Sequence, residues 1–171
     1  ARAAGASRFA VVSALGANAR SSTFYNRIKG EMEAAVAEVG FDVLVIVPHD
    51  GQAMAKAVRL AHEAGVPVIA YDRLIRDSDL DLYVSFDNLR VGELQARYLL
   101  DHLPQRGRGR IVRIFGAKTD NNAALFKEGQ DRVLAPYVER GDIQILHEDW
   151  AEDWKPENAK RIVNAAITAQ G

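Results

Sequence analysis

The 171-residue sequence has no cysteine, only two tryptophans and no long apolar run. Without cysteine, neither a disulfide framework nor thiolate chemistry is available. No apolar stretch approaches the roughly 20 residues that a membrane-spanning helix requires. The formal net charge is -1, so the composition gives no sign of the broad basic surface that nucleic-acid binding requires. We therefore expect a globular protein with no nucleic-acid partner.

The motifs of common enzymes are missing as well. No G-x-G-x-x-G follows an apolar run, and no G-x-x-x-x-G-K-[ST] phosphate loop is present. There is no G-x-S-x-G nucleophile elbow. None of the four histidines has metal-ligand spacing with a second histidine. We therefore expect no enzymatic activity, no metal and no cofactor.

Apolar runs alternate with amphipathic stretches along the whole chain. The predicted strands span residues 8–14, 41–47, 66–71, 82–86, 110–115 and 143–147. The predicted helices span residues 22–39, 52–64, 88–103, 122–137 and 156–169. Repeated alternation of strand and helix predicts right-handed crossovers and parallel sheets. The sequence therefore predicts an α/β fold.

A shift in composition divides this pattern. Residues 104–109 are rich in proline, glycine and arginine, which is typical of a boundary between lobes. We predict an N-terminal lobe over residues 1–104 and a partial C-terminal lobe over residues 105–171. The second lobe has only two predicted strands and two helices. It would leave bare strand edges, so we expect it to be incomplete.

The most informative stretch runs from Val66 to Arg73, where a short apolar run ends in an acid and an arginine. In open α/β sheets the ligand crevice lies outside the carboxyl ends of the strands. Asp72 and Arg73 fall at that end. A carboxylate that accepts hydroxyls beside a guanidinium that donates in a rigid fork suits a small polyhydroxylated ligand. The alternative is a surface ion pair at a strand end.

Polar residues also follow the predicted strand 110–115. Asp120 and Asn122 can each hold a sugar hydroxyl. The Asp120 carboxylate accepts hydrogen bonds, and the Asn122 amide both accepts and donates them. Capping of the next helix is the alternative, and the same residues can do both. After the predicted strand 82–86, Asn88 is predicted to cap a helix and Asp87 to brace the turn.

Two tryptophans lie close together after the predicted strand 143–147, within the segment Asp149–Trp154. An indole face packs well on the apolar face of a sugar ring, and its N–H needs only one partner. The alternative is that both tryptophans pack into the core or at the edge of a lobe.

Several of these segments together resemble a known family. From about Phe41 to its end, the chain is similar to the periplasmic xylose-binding proteins of bacterial ABC transporters, which are type I sugar-binding proteins. The segments that carry the resemblance are Asp42-Val43-Leu44-Val45-Ile46, Ala70-Tyr71-Asp72-Arg73, Tyr83-Val84-Ser85-Phe86-Asp87-Asn88, Val91-Gly92-Glu93-Leu94-Gln95-Ala96, Asp120-Asn121-Asn122-Ala123, and Trp150 through Trp154 followed by Pro156-Glu157-Asn158-Ala159.

The resemblance implies the type I periplasmic-binding-protein fold, with Rossmann-like parallel sheets flanked by helices in two hinged lobes. It implies that the protein closes on a monosaccharide such as D-xylose and delivers it to an ABC permease. The protein would be periplasmic or extracellular and held at the membrane through the transporter. By resemblance, Arg73, Asp120 and Asn122 contact the sugar and Trp154 stacks on its ring. Asp72 is a further contact by analogy with related pentose binders.

The sequence departs from the family at its N-terminal part. Residues 9–40 have room for one strand–helix unit where the family has two. If this is the family's first unit, Phe24 and Tyr25 approach the sugar. If it is the second unit, they pack within the helix.

The sequence also departs from the family in length, because family members are nearly twice as long. We expect a mature form or a fragment, whose second lobe a second chain or a swapped dimer could complete. The alternative functions are a sugar-sensing effector domain of a transcription regulator or sensor kinase, and an inactive fragment of the binding protein.

Overall fold

The computed structural model describes residues 10–11, 20 and 42–169. Residue contacts divide the chain into two compact units, residues 1–85 and 86–171. None of the described helices has the length and apolar character that crossing a bilayer requires.

The first unit contains a parallel sheet. Within the described residues its strands are β1 (Ala10–Val11), β2 (Leu44–Ile46), β3 (Val68–Tyr71) and β4 (Leu82–Val84), and they lie side by side in that order. Helix α1 (Ala55–Glu63) connects β2 to β3. Because all four strands run the same way, their carboxyl ends share one edge of the sheet.

Apolar side chains of β2, α1 and β3 form the core of the first unit. Its buried members are Ile46, Val58, Val68, Ala70 and Ile75. Val68 and Ala70 are completely buried, as expected for one face of a strand inside a parallel sheet. Ile75 follows the end of β3 and anchors that loop in the core.

Asp81 ties α1 to the start of β3. One of its carboxylate oxygens accepts the backbone N–H of Val68 at 2.7 Å and lies 2.8 Å from Nε2 of His62. The hydrogen bond from Val68, and after it the contact with His62, lowers the pKa of Asp81 from its ordinary 3.8. The ionised carboxylate is therefore the form that the folded unit favours.

The second unit contains a two-stranded parallel sheet among the described residues. Its elements are α2 (Asn88–His102), β5 (Gly109–Phe115), α3 (Asn121–Glu139), β6 (Ile143–Trp150), a 3₁₀ turn (Glu152–Trp154) and α4 (Pro156–Thr168). Side chains of α2, α3 and both strands form its core, whose buried members are Ala96, Leu100, Ile111, Leu134 and Ile143. The two strands pair from Gly109 with Ile143 to Phe115 with Trp150, and the register shifts by one residue between Ile111 and Val112.

Two glycines allow α2 and α3 to pack with their backbones almost in contact. A Cβ on Gly92 would overlap the carbonyl oxygen of Phe126, and a Cβ on Gly129 would overlap that of Leu89. Any side chain at either position would push the helices apart. Helix α3, whose first residues belong to the candidate site, therefore depends on these glycines for its position.

The structure confirms the predicted α/β fold with parallel sheets, and most predicted elements lie within a few residues of their observed bounds. The predicted helix 22–39 lies outside the described residues. Strand β6 was predicted to end at residue 147, but it continues to Trp150 because Asp149 and Trp150 pair with Ile114 and Phe115. The prediction that Asp149 and Trp150 lie in the loop after the strand was therefore wrong.

The predicted cap at Asn88 was also wrong. Helix α2 is capped by Asp87, whose side chain accepts the backbone N–H of Arg90 at 2.9 Å. Asn88 is the first helical residue and is buried. Both residue types cap helices well, so the sequence alone gave no basis for choosing between neighbours.

The lobe boundary predicted after residue 104 stays a prediction, because compactness alone does not define hinged lobes. By its contacts, α2 belongs to the second unit, where it packs along α3. The two glycines in this contact, Gly92 and Gly129, were not singled out from the sequence.

Asp81→Asn tests the role of the ionised carboxylate. The folded state lowers the pKa of Asp81, so the ionised carboxylate stabilises the folded state at pH values above the ordinary pKa of 3.8. This stabilisation is lost as the pH falls through the folded-state pKa. We expect the wild type to resist urea better than Asp81→Asn at neutral pH, and the difference to shrink below about pH 4. Asp79→Asn, at an exposed position in the same loop, serves as control. A difference that is constant with pH contradicts the assignment.

Gly129→Ala tests the helix contact. The added methyl meets backbone that cannot swing aside, so we expect the cost to lie in the upper part of the roughly 1–3 kcal/mol typical of over-packing. That cost exceeds the gain of about 1 kcal/mol in helix propensity. Urea denaturation measures the difference. Gly109→Ala is the control, since the atoms nearest to its methyl would belong to the Leu103 side chain, the first of them at 3.4 Å. A Gly129→Ala variant as stable as the wild type contradicts the close packing.

Candidate functional site

The end of strand β3 is fixed by a turn at Asp72. This residue has a φ of 66°, in the left-handed region that residues other than glycine rarely adopt. Its backbone N–H donates to the carbonyl of Val84 at 2.8 Å, and its carbonyl accepts the hydroxyls of Ser85 at 2.6 Å and Tyr83 at 3.2 Å. These bonds hold the turn against the end of β4 and offset the cost of its backbone conformation.

Arg73 links the carboxyl ends of two neighbouring strands. Its Nη1 donates to the carbonyl of His49 at 3.2 Å, and His49 follows β2. The side chain is half-buried. Because β2 and β3 are parallel neighbours, the guanidinium lies at the shared edge where the sequence predicts a ligand crevice.

Asp120 is the centre of the candidate site in the second unit. It is the N-cap of α3, where one carboxylate oxygen accepts the N–H of Asn122 at 2.9 Å. Its other oxygen accepts the indole N–H of Trp154 at 3.1 Å. The residue is only 3% exposed. One buried carboxylate therefore caps a helix and holds an aromatic ring.

Asn122 is held by a second amide. Its Oδ1 accepts a hydrogen bond from Nδ2 of Asn88 at 3.0 Å, and both residues are buried. Asn88 begins α2, so this bond joins the first turns of α2 and α3. It fixes the orientation of the Asn122 amide next to Asp120.

Trp154 is held in a constrained backbone conformation. Asp153 and Trp154 have φ values of 55° and 57°, both in the left-handed region. The side chain is 41% exposed although its indole N–H is bonded to a buried carboxylate. Such local strain is often found at ligand sites, where the surrounding structure maintains it. The indole therefore combines a fixed position with an accessible surface.

Charged residues brace strand β5 just before the site. Arg113 is 8% exposed and makes ion pairs with Asp131 at 2.6 Å and Glu148 at 2.5 Å. Burial by itself would raise the pKa of Asp131, but hydrogen bonds from Lys127 and Arg113 outweigh it and lower that pKa. The cations of Arg113 and Lys127 lie 5.0 and 5.4 Å from the ring centre of Phe115, the last residue of β5.

The predicted site residues thus form two groups. Asp120, Asn122 and Trp154 are brought together in the second unit, by direct hydrogen bonds to Asp120. Asp72 and Arg73 are consecutive residues at the end of β3 in the first unit. Phe24 and Tyr25 lie outside the described residues. Contact of any of these residues with a sugar stays a prediction.

The sequence did not lead us to two residues of the group that contains Asp120. Asn88 was interpreted as a helix cap, and nothing local indicates that its partner is Asn122. Gly116, which lies under the Trp154 ring, carried a usable signal: a glycine at a strand end often marks a close approach of backbone and another group. Within the ranges that the structure describes, no three metal-binding side chains are grouped to hold an ion.

Comparison with known proteins gives a consistent family. A family model described as a periplasmic binding protein domain matches residues 17–171. The D-xylose-binding periplasmic protein of Escherichia coli K12 is 43% identical over 155 residues, which are 87% of this chain and 46% of that protein. The protein of the same name from Haemophilus influenzae Rd is 38% identical with the same coverage.

Two solved structures that match this chain are solute-binding proteins as well. The solute-binding protein of a Chloroflexus aurantiacus carbohydrate transporter, in complex with D-glucose, matches with a TM-score of 0.70 and 38% identity over 84% of this chain and 48% of its own. A Clostridium phytofermentans ABC transporter solute-binding protein with bound β-D-glucose has a TM-score of 0.71 and 29% identity, over 84% of this chain and 47% of its own. The chain spans about half the length of these relatives. On the family model and these identities, the chain belongs to the periplasmic binding protein family.

Proposed function

We propose that the chain is part of a solute-binding protein that captures a monosaccharide, D-xylose, and delivers it to an ABC permease in the periplasm. The observation that carries the proposal is the pairing of the Asp120 carboxylate with the Trp154 indole. A buried acceptor and an accessible aromatic ring in direct contact match the two sides of a sugar, its hydroxyls and its apolar ring face.

Each of the two groups offers side chains that can form hydrogen bonds with sugar hydroxyls. Carboxylates accept from hydroxyls, the Arg73 guanidinium donates to them, and the Asn122 amide does either. Such bonds are strongest where one partner is charged and water is excluded. No covalent bond is made or broken. The bound sugar favours one conformation of the complete protein, and that conformation is the one that we propose the permease recognises.

The choice of D-xylose rests on the names of relatives. Two proteins that are 43% and 38% identical to this chain are named as D-xylose-binding periplasmic proteins. The two matched structures hold D-glucose, which shows that related sites accept another aldose. The periplasmic location and the permease partner rest on the same relatives and stay part of the proposal.

Isothermal titration of D-xylose into the complete protein that contains this chain tests the proposal. We expect binding in the wild type and a loss of about tenfold to a hundredfold in Asp120→Asn, because a hydrogen bond to a charged group contributes about 1.5–3 kcal/mol. We also expect Arg73→Lys, in the first unit, to lose affinity for D-xylose, since lysine cannot reproduce the planar fork of donors.

Asp101→Asn, at an exposed position on α2, is the matched control and should bind as the wild type does. Circular dichroism establishes that each variant is folded. A folded wild type that releases no heat with D-xylose or another aldose overturns the proposed function. If only Asp120→Asn loses affinity, the assignment of Arg73 to the site is wrong.

A further inference from the structure

The backbone at Gly116 lies directly against the Trp154 indole. Gly116 is buried and follows the last residue of β5. A Cβ added there would overlap ring carbons Cζ2 and Cη2 of Trp154 and would lie 2.5 Å from Cε2. Carbon atoms pack at about 3.5–4.0 Å, so a methyl group at this position requires the ring to move by roughly 1 Å or more.

Two contacts that hold the indole come from different elements of the second unit. The N–H is held by the Asp120 carboxylate at 3.1 Å, and the six-membered ring rests on Gly116. The Asp120 carboxylate itself is held by α3, and Gly116 is held by β5. The ring is thus held by α3 and β5 as well as by its own turn.

We propose that Gly116 is a positioning residue for sugar binding: only the absence of a side chain at position 116 allows the Trp154 indole to lie where it stacks on the aldose ring. The inference rests on the proposed function, because it assigns the indole to that site. It adds a residue that contacts no sugar itself and acts through Trp154.

The surroundings explain why a change at Gly116 should act locally. Its φ does not lie in the left-handed region, so alanine can adopt the same backbone conformation. The group in the way is the far end of the Trp154 side chain, and this residue is 41% exposed, so we expect the ring to move towards solvent. We therefore expect Gly116→Ala to move the ring and weaken its bond to Asp120 without unfolding the unit.

Fluorescence measures the ring position without any ligand. The chain has two tryptophans, so Trp150→Phe leaves Trp154 as the only one. In this background we expect Gly116→Ala to shift the emission to longer wavelength and to increase quenching by acrylamide. Gly109→Ala is the matched control, because its methyl would meet the Leu103 side chain at an ordinary 3.4 Å. It should leave both quantities unchanged.

Titration of D-xylose into the complete protein measures the consequence. We expect Gly116→Ala to weaken affinity by about tenfold or more, the scale of a lost aromatic contact, while Gly109→Ala binds normally. Urea denaturation of both variants separates this effect from a loss of folding.

The two measurements distinguish the inference from the function on which it rests. Unchanged emission in Gly116→Ala, or a shifted emission with unchanged affinity, overturns the positioning role. A shifted emission and a weakened affinity in the control Gly109→Ala also overturn the positioning role. If the emission shifts but the parent protein binds no aldose, the packing of the ring on Gly116 stands and the proposed function fails.

Discussion

The second unit depends on a single buried carboxylate. Asp120 accepts the N–H of Asn122 with one oxygen and the indole N–H of Trp154 with the other. Capping supplies an acceptor for an otherwise unpaired backbone group at the start of α3. The second bond fixes a ring that belongs to the turn after β6. One group thus positions both the start of α3 and the aromatic ring.

Parallel strand pairing makes this arrangement possible. The carboxyl ends of β5 and β6 lie side by side, so the segments that follow them emerge next to each other. The first unit repeats the principle, since Arg73 after β3 reaches the carbonyl of His49 after β2. Close packing then sets the distances: Gly92 and Gly129 let α2 and α3 approach, and the Asn88–Asn122 pair joins their first turns.

Local patterns predicted much of this structure, and contacts between distant residues could not be predicted from them. Asp120 was interpreted as a cap or a ligand because an aspartate precedes an amphipathic run, and it is the cap. Its bond to Trp154 spans 34 residues and has no local signature. Asn88 was misassigned because Asp87 beside it caps equally well. Arg113 stands in an apolar run, and only the fold brings Asp131 and Glu148 to it. The resemblance to sugar-binding proteins supplied predicted roles for residues whose function spacing alone left open.

The bond between Asp120 and the Trp154 indole can be observed directly by NMR. In the ¹⁵N-labelled 171-residue chain the two tryptophans give two indole N–H signals, and Trp150→Phe assigns them. We expect the Trp154 indole proton to exchange slowly with water although the residue is 41% exposed, and Asp120→Ala to make it exchange rapidly. Rapid exchange in the wild type, or slow exchange that survives Asp120→Ala, would contradict the bond between Asp120 and the indole.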